Sequence, residues 1–459
     1  MCGEAASRQR VEQAASLQPK ESDYKKFMRF ARTRAPYFSL PREFYEEDVF
    51  RVDMSEIWSK SWLLAGLSCQ IPKPNDYLSY NVGQNSVIIT RGSDDVVRAF
   101  HNVCRHRGSR ICRLERGSAA ALVCPYHQWT YDPTSGSLKH ARDMGEFNQM
   151  KGEYGLHPAH CRELRGLIWV SMPPPGLSPY FSFEEATPTL EAQMKHHGFE
   201  RTKIAFSETY VVNANWKLVY ENNRECYHCN KGHPEYIKAN YDTAFSYLKE
   251  RNGKITRIPD SESNRFQEAT EQIELMTTKW QNQLGVACTS DSTFPGSGWY
   301  RATRNPMRKE WLVESLDGNR VCNRLMGNFD DPDMGSMRIH TFPNHWTHAS
   351  SDHAVVTRLT PLAWNKTEAK VFWIVDEKAQ EGEDYHRDKM TPFWALTSEQ
   401  DWILAEDNHN GVMSPHYTPG PLSTLKEESV EKFIQWYLQT TKGMIGDDRE
   451  REQENELIF

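Results

Sequence analysis

Two short motifs decide the fold of the first half of the chain: residues 104–108 read Cys-Arg-His-Arg-Gly, and residues 124–129 read Cys-Pro-Tyr-His-Gln-Trp. Each motif places one cysteine and one histidine on a short loop. Two thiolates and two imidazoles in this arrangement suit a [2Fe–2S] cluster in which each iron has one kind of ligand. Neutral imidazoles raise the reduction potential above that of a cluster held by four thiolates. The expected ligands are Cys104 and Cys124 on one iron, and His106 and His127 on the other.

A structural zinc site is the alternative for these motifs, because two cysteines and two histidines also bind zinc. Zinc fingers pair cysteine with cysteine and histidine with histidine, whereas each loop here carries one of each. The order Cys-His-Cys-His therefore favours the cluster. Cys112 lies between the loops without a partner at ligand spacing, so we expect it to be a buried thiol.

The surroundings of the motifs indicate an all-β module. Short stretches such as Ser86–Gly92, Ala120–Tyr131 and Gly166–Met172 are typical of strands and are separated by Gly, Pro, Asn and Asp turns. Residues 172–176, Met-Pro-Pro-Pro-Gly, form the clearest linker, and helical and strand patterns are mixed after it. The sequence thus predicts an α+β protein in which an all-β cluster domain precedes an α+β domain with an antiparallel sheet.

The expected organisation has four parts. These parts are an N-terminal helical segment packing on the catalytic domain (1–45), the cluster domain (46–172), the catalytic domain (173–445) and a charged tail (446–459). Expected helices are Tyr24–Thr33, Phe183–His197, 216–230, 264–284 and 398–409, and expected strands are Lys203–Val212, Ala354–Leu362 and Lys370–Val375.

A second metal constellation lies in the segment 215–236. His228 and His233 are five residues apart, and an ideal helix sets such residues about 140° apart. Gly232 and Pro234 loosen the helix, so that both histidines can face one metal ion. Two histidines and a distant carboxylate form the facial triad of Fe(II) oxygenases, which leaves positions open for O2. Two ordinary helix histidines, or a redox or zinc pair of Cys226 and Cys229, are the alternatives.

Both motifs resemble those of the aromatic-ring-hydroxylating Rieske oxygenase family. The second match is the run E-N-x-x-E-C-Y-H-C-x-x-x-H-P over residues 221–234. The resemblance implies an oxygenase alpha subunit with a helix-grip-like catalytic domain, a [2Fe–2S] cluster and a mononuclear Fe(II). It also implies Asp401 as the third iron ligand. Ser398 and Asp401 could instead form a capping box, and Glu406 or Asp407 could be the ligand.

In this family an acidic residue three positions before the first iron histidine bridges that histidine to a cluster histidine of an adjacent subunit. Most members carry aspartate there, whereas this chain has Glu225. The longer side chain implies a slightly different distance between the two centres. Such a bridge requires a closed ring of subunits, and the resemblance implies a homotrimer.

The second motif is similar to the branch that acts on quaternary ammonium compounds such as glycine betaine, stachydrine and carnitine. The resemblance implies O2-dependent N-demethylation with release of formaldehyde. A trimethylammonium group is expected to bind aromatic faces. The candidate aromatics, each more often a core residue, are Trp299, Tyr300, Phe342, Trp346 and Tyr227.

Composition sets the remaining expectations. The net charge is −7, with acidic and basic residues interleaved, which argues against nucleic-acid binding. No apolar run reaches the length of a membrane span and no secretion signal is evident, so we expect a cytoplasmic protein. Without a dinucleotide fingerprint in the chain, electrons should come from a separate flavin- and iron–sulfur-containing reductase that uses NAD(P)H. The rival functions are an arene dioxygenase and a zinc or electron-transfer protein without oxygen chemistry.

Overall fold

The α+β class is confirmed by the computed structural model, which describes residues 18–149, 151–249, 255–260, 265–286 and 296–456. The described strands are β1 (Leu63–Leu67), β2 (Asp76–Val82), β3 (Asn85–Arg91), β4 (Val97–His101), β5 (Arg116–Ser118), β6 (Leu122–Val123), β7 (Thr130–Tyr131), β8 (Leu138–His140), β9 (Pro158–Leu164), β10 (Leu167–Ser171), β11 (Thr202–Val212), β12 (Phe245–Lys249), β13 (Ile255–Pro259), β14 (Tyr300–Asn305), β15 (Ser336–Thr341), β16 (His345–Ala349), β17 (Ala354–Ala363) and β18 (Lys366–Asp376). The described helices are α1 (Glu21–Thr33), α2 (Glu47–Ser55), α3 (Ile57–Lys60), α4 (Phe183–Met194), α5 (Trp216–Asn222), α6 (Cys229–Gly232), α7 (Tyr236–Ala239), α8 (Phe266–Leu284), α9 (Arg387–Met390), α10 (Pro392–Val412) and α11 (Glu428–Glu456).

The first module is built from antiparallel strands. Seven described strands form one sheet in the order β1-β10-β9-β4-β3-β2-β5, and β6, β7 and β8 form a smaller sheet. The loop 104–108 follows β4, and the loop 124–129 connects β6 to β7. A small apolar core that includes Phe100, Trp129 and Leu138 lies around the two buried cysteines of these loops. The strands therefore present both loops on one rigid support.

The second module contains a six-stranded antiparallel sheet in the order β11-β18-β17-β16-β15-β14, counted over the described residues. Its central hairpin, β17 and β18, is rich in β-branched residues, which favour extended backbone. Helices α4, α5, α10 and α11 share a hydrophobic core with this sheet. A two-stranded ribbon, β12 and β13, lies between α7 and α8 in the chain.

Several element boundaries differ from the sequence expectations. The helix predicted over 216–230 is wrong as a continuous element, because α5 ends at Asn222 and helical structure resumes only at Cys229. The helix predicted over 398–409 is longer and begins at Pro392, a residue that fits the first turn because that turn needs no intrahelical N–H. The backbone of the charged tail continues α11 as far as Glu456.

The N-terminal and C-terminal helices pack together. The ring of Phe27 in α1 lies 5.9 Å from that of Tyr437 in α11, and Arg34 pairs with Glu431. The buried carboxylate of Asp53 accepts hydrogen bonds from Tyr437 and Lys217, so it links α2, α5 and α11. In the part of the chain that the structure describes, no helix combines the length and the apolar character needed to cross a membrane.

Candidate metal centres

The loops of the first module bring the four predicted cluster ligands together. Cys104 and Cys124 are buried, whereas His106 and His127 are partly exposed, with their Nδ1 atoms 3.1 Å apart. Two nitrogen ligands of one tetrahedral metal ion lie roughly 3.4 Å apart, given metal–nitrogen bonds of about 2.05 Å. The histidine pair therefore fits a single iron on the solvent side of the buried cysteines.

The two loops have the same backbone design. In each loop the residue four positions after the cysteine has a positive φ, +75° at Gly108 and +62° at Gln128. Each of these residues donates its N–H to the carbonyl oxygen of its own cysteine, at 2.9 Å and 3.0 Å respectively. The second loop shows that glycine is not obligatory for this turn. The matching turns set both cysteine–histidine pairs in equivalent positions.

Neighbouring aromatic residues hold the ligands in place. Trp129 stacks on His106 with ring centroids 4.9 Å apart, and the Tyr131 hydroxyl lies 3.2 Å from Cys104 Sγ. The same hydroxyl accepts a hydrogen bond from Arg105 N at 3.0 Å. The prediction for Cys112 is confirmed: it is a buried free thiol, and burial raises its pKa to about 12.

The second site is a triangle of donor atoms. His228 Nε2 and His233 Nε2 lie 3.0 Å apart, and Asp401 Oδ1 lies 3.3 Å and 2.8 Å from them, respectively. Adjacent ligands of an octahedral ion with bonds of about 2.1 Å lie roughly 3.0 Å apart. All three edges match this value. The residues present therefore fit one ion bound by a facial triad, with the opposite face open.

Local structure explains how the two histidines meet. The chain turns from His228 through α6, and His233 leaves the helix with φ −133° and ψ 67°. A Cβ atom at Gly232 would lie 3.3 Å from His228 Cδ2, so a larger side chain would crowd the first ligand. The loosening that Gly232 and Pro234 predict is therefore present.

The structure distinguishes between the carboxylates considered for the third position. Asp401 lies in the middle of α10, so the capping-box alternative with Ser398 is wrong. Glu406 accepts hydrogen bonds from Asn213 N and Nδ2 at 2.7 Å and 3.0 Å, and Asp407 is exposed. Only Asp401, of these three acids, joins the two histidines.

The outer nitrogens of both histidines have hydrogen-bond partners. His228 Nδ1 lies 2.6 Å from Glu225 Oε1, and His233 Nδ1 lies 2.7 Å from Gln400 Oε1. Such partners fix the tautomer and the ring orientation of metal-binding histidines. Sequence reasoning identified Glu225 but missed Gln400, whose one signal was its place directly before Asp401. Burial opposes charge on the imidazole, but Asp401 and Glu225 outweigh it and raise the pKa of His228 to about 10.

The cysteines beside His228 are paired with each other. Cys226 and Cys229 form a disulfide, which is compatible with the redox pair named among the alternatives but not with a zinc-binding pair. The two residues are three apart across a turn in which Cys229 N donates to the carbonyl oxygen of Cys226 at 3.3 Å, and their Cα atoms lie 4.9 Å apart. Cys229 Sγ lies 3.9 Å from His228 Nε2, but as a disulfide sulfur it is not a thiolate donor.

A cavity of about 190 Å³ adjoins the triangle of donor atoms. Its aromatic walls are Tyr236, Tyr241, Phe245 and Trp394. Trp394 and Thr397 precede Asp401 by seven and four residues on α10, so all three lie on one helix face. None of the aromatics named from the sequence lines this cavity: Tyr227 is exposed, and the others, Trp299, Tyr300, Phe342 and Trp346, belong to the buried core.

Comparison with known families covers both modules. Residues 61–151 match the family described as the Rieske [2Fe-2S] domain, and residues 199–443 match the ring hydroxylating alpha subunit (catalytic domain).

Individual relatives match over most of the chain. The chain is 37% identical over 421 residues to a glycine betaine monooxygenase oxygenase subunit of Pseudomonas aeruginosa, covering 91% of this chain and 92% of the relative. It is 38% identical over 413 residues to the subunit of the same name from Chromohalobacter salexigens, covering 89% and 87%. A solved structure of the quaternary ammonium Rieske monooxygenase CntA with L-carnitine has the same fold, with a TM-score of 0.61 and 19% identity over 90% of this chain and 98% of that chain.

Proposed function

The chain belongs to the Rieske ring-hydroxylating oxygenases as an alpha subunit with a [2Fe–2S] cluster and a mononuclear iron, and we propose that it demethylates a quaternary ammonium compound, with glycine betaine as the first candidate. The observation that carries this proposal is the identity of 37% and 38% to two glycine betaine monooxygenase subunits over about nine tenths of the chain. The small cavity with aromatic walls beside the iron triangle supports the same substrate class.

The ligand sets form part of the proposal. We assign the cluster to the four cysteine and histidine ligands of the two loops, and the mononuclear iron to His228, His233 and Asp401. The support is the spacing of the donor atoms: 3.1 Å between the two loop histidines, and 2.8–3.3 Å within the triangle.

The reaction follows from the chemistry of an N-methyl group. Iron, when bound, supplies the activation of O2. With two electrons and two protons, one oxygen atom enters a C–H bond of the methyl group and the other leaves as water. The resulting N-hydroxymethyl cation loses a proton and breaks its C–N bond, which releases formaldehyde and the tertiary amine. The protein orients the methyl group: Trp394 and Tyr236 line the cavity, and the Tyr236 ring lies 6.3 Å from that of His233, so a cation against these aromatic residues would lie beside the iron ligands.

A homotrimer is the proposed assembly, and exposed apolar residues near both centres support it. Beside the cluster loops, Leu114 and Tyr126 are 68% and 54% exposed. Beside the iron site, Tyr227 and Ile403 are 60% and 61% exposed. Large exposed apolar side chains are frequent at interaction surfaces. In a ring, the loop side of one subunit would cover the iron side of the next, and Glu225 would contact the neighbouring cluster histidine.

A separate reductase is implied because the relatives are named as oxygenase subunits of monooxygenases. We further propose that this reductase uses a flavin, an iron–sulfur centre and NAD(P)H, and that the reaction takes place in the cytoplasm. His106 and His127, which are partly exposed, provide the place where an electron can reach the cluster from such a partner.

A substrate panel tests the proposal. The purified enzyme, with a flavin and iron–sulfur reductase and NADH, is incubated with glycine betaine, stachydrine, carnitine, choline and naphthalene while O2 uptake and formaldehyde are recorded. We expect formaldehyde in step with O2 uptake for a quaternary ammonium compound, and most efficiently for glycine betaine. Turnover of the arene to a cis-diol without formaldehyde would instead identify a ring dioxygenase.

A further inference from the structure

We propose that Arg301, with Arg224 and His340 beside it, binds the carboxylate of the substrate and makes the enzyme selective for ammonium compounds that carry an acid group. This inference rests on the proposed function, because it names a second recognition element for the same substrate. The trimethylammonium group alone does not distinguish glycine betaine from choline, which has a hydroxymethyl group in place of the carboxylate.

The sheet places these residues on one wall of the cavity. Arg301 on β14 lies directly opposite His340 on β15, and Arg338 on β15 lies opposite His348 on β16. Directly opposed residues of antiparallel strands project from the same face of the sheet. All four residues line the cavity, and so does Arg224, which directly precedes Glu225 in the iron-binding segment. The sheet wall of the cavity is therefore polar and basic.

The guanidinium groups of Arg224 and Arg301 belong to residues that line the same cavity. Burial and the nearby positive charge of Arg301 lower the pKa of Arg224 to about 10, although Tyr220 acts in the opposite direction. Arg338, a third arginine of the same wall, donates two hydrogen bonds to Asp242 at 2.7 Å and 2.9 Å. Adjacent guanidiniums in a partly desolvated site attract a carboxylate, which can accept from each of them.

His340 provides a second and independent sign of a ligand. Its side chain is 7% exposed, and its Nδ1 makes no hydrogen bond to any described residue. Buried polar atoms nearly always have a partner, from the protein, from water or from a ligand. Burial and the neighbouring arginines hold the pKa of His340 well below its usual range, so the ring is neutral. A neutral imidazole can donate one N–H to a carboxylate.

The spacing along the wall fits a zwitterion. Trp394 stacks on His348 with ring centroids 4.3 Å apart, and His348 lies 6.5 Å from His340. The wall therefore runs from an aromatic end, on the helix that carries Asp401, to a basic end at His340 and Arg301. An ammonium group against Trp394 lies near the iron ligands, and a carboxylate on the same molecule points toward the arginines.

The experiment compares glycine betaine with choline in three proteins: the wild type, Arg301→Gln and Arg301→Lys. Equilibrium binding is measured by calorimetry on the intact enzyme, and KM and kcat are measured with the reductase. In Arg301→Gln we expect the Kd and KM of betaine to rise at least about tenfold, equivalent to about 1.4 kcal/mol, with choline changed less than about threefold. Arg301→Lys should recover part of the betaine affinity, because it keeps the charge but loses the fork of N–H donors.

Arg324→Gln is the matched control, because it removes the same charge from an exposed position of the same domain. Equal losses for betaine and choline in Arg301→Gln, or an equal loss in Arg324→Gln, would overturn the carboxylate site. If Arg301→Gln does not fold, the wild type decides: equal affinities for betaine and choline would also overturn it. Failure of the wild type to demethylate any ammonium compound contradicts the proposed function instead.

Discussion

Glu225 Oε1 lies 2.6 Å from Nδ1 of His228, and the other ring nitrogen of His228 faces His233 and Asp401. The carboxylate therefore favours the tautomer with its proton on Nδ1, which leaves Nε2 as the metal-binding atom. Glu225 is a positioning residue within one chain. Its proposed contact with a cluster histidine of the next subunit would add a second task.

Replacing Glu225 tests that second task. In Glu225→Ala we expect both metals to be retained and substrate-coupled turnover to fall about 10- to 100-fold, because the link between the centres is lost. Stopped-flow absorbance of the reduced cluster, mixed with O2 and substrate, should show slower reoxidation in the variant. Normal reoxidation and full turnover in the variant would show that Glu225 does not link the cluster to the mononuclear iron.

Replacing Asp401 tests the iron triangle. Asp401→Ala should lose the mononuclear iron, because this one partly buried carboxylate completes the set of donor atoms. Glu406→Ala is the control on the same helix, since Glu406 is bound to Asn213. Iron and acid-labile sulfide are measured in both proteins after gel filtration. If Glu406→Ala loses the iron and Asp401→Ala retains it, Glu406 and not Asp401 is the third ligand.

The aromatic wall makes a separate prediction. Trp394→Leu should weaken choline binding by about 0.5–2 kcal/mol, or roughly 2- to 30-fold, through loss of cation–π contact. Binding of 3,3-dimethyl-1-butanol, the uncharged carbon analogue of choline, should change much less. Calorimetry with the two ligands separates charge recognition from simple packing, and equal losses would show that Trp394 only fills space.

The histidine ligands set the potential of the cluster. Replacing one neutral imidazole by a thiolate in His106→Cys should lower the midpoint potential, because the added negative charge stabilises the oxidised cluster. Cys112→Ser serves as the control, since Cys112 is a free thiol outside the ligand set. A potentiometric titration followed by visible absorption gives both values. An unchanged potential in a cluster-containing His106→Cys protein would show that residue 106 is not a ligand.

Buried histidines predict how stability depends on pH. The buried histidines of the catalytic module include His197, His340, His345 and His348. Burial lowers the pKa of each of these four, and that of His345 falls to about 3. Below about pH 6.5 the unfolded chain takes up protons that the folded chain does not, so stability falls as the pH falls. Each group contributes up to about 1.4 kcal/mol per pH unit in that window.

Thermal unfolding between pH 7.5 and 5.5 checks this dependence, with His345→Gln as the comparison. The variant should unfold at a lower temperature at pH 7.5, because Thr341 and Thr347 lose their imidazole partner. Its unfolding temperature should depend less steeply on pH. A parallel decline in both proteins would mean that His345 does not titrate on unfolding.

Sequence reasoning located the parts of the site that are local in the chain. The cluster loops and the histidine pair 228 and 233 are short motifs whose residue types and spacing already specify the chemistry. Asp401 is 168 residues from His233 along the chain and was identified through the family resemblance.

The cavity walls were not predictable in this way, because they depend on strand register. Arg301, His340 and His348 come together only through the pairing of β14, β15 and β16. Composition alone likewise does not show which aromatic side chains point into a cavity. Phe342 and Trp346 pack into the core, the position that the sequence analysis gave as the more frequent one for such residues.

A single turnover with N-methyl-labelled glycine betaine shows whether electrons stored in the cluster and the iron drive demethylation. The enzyme is reduced chemically, freed of excess reductant and mixed with substrate and O2 in the absence of any reductase. We predict that labelled formaldehyde and dimethylglycine form in equal amounts while the cluster absorption returns to its oxidised form. Reoxidation of the cluster without formaldehyde would rule out demethylation of glycine betaine by this enzyme. A purified protein that holds zinc and shows no Rieske signal on reduction would rule out the iron chemistry as a whole.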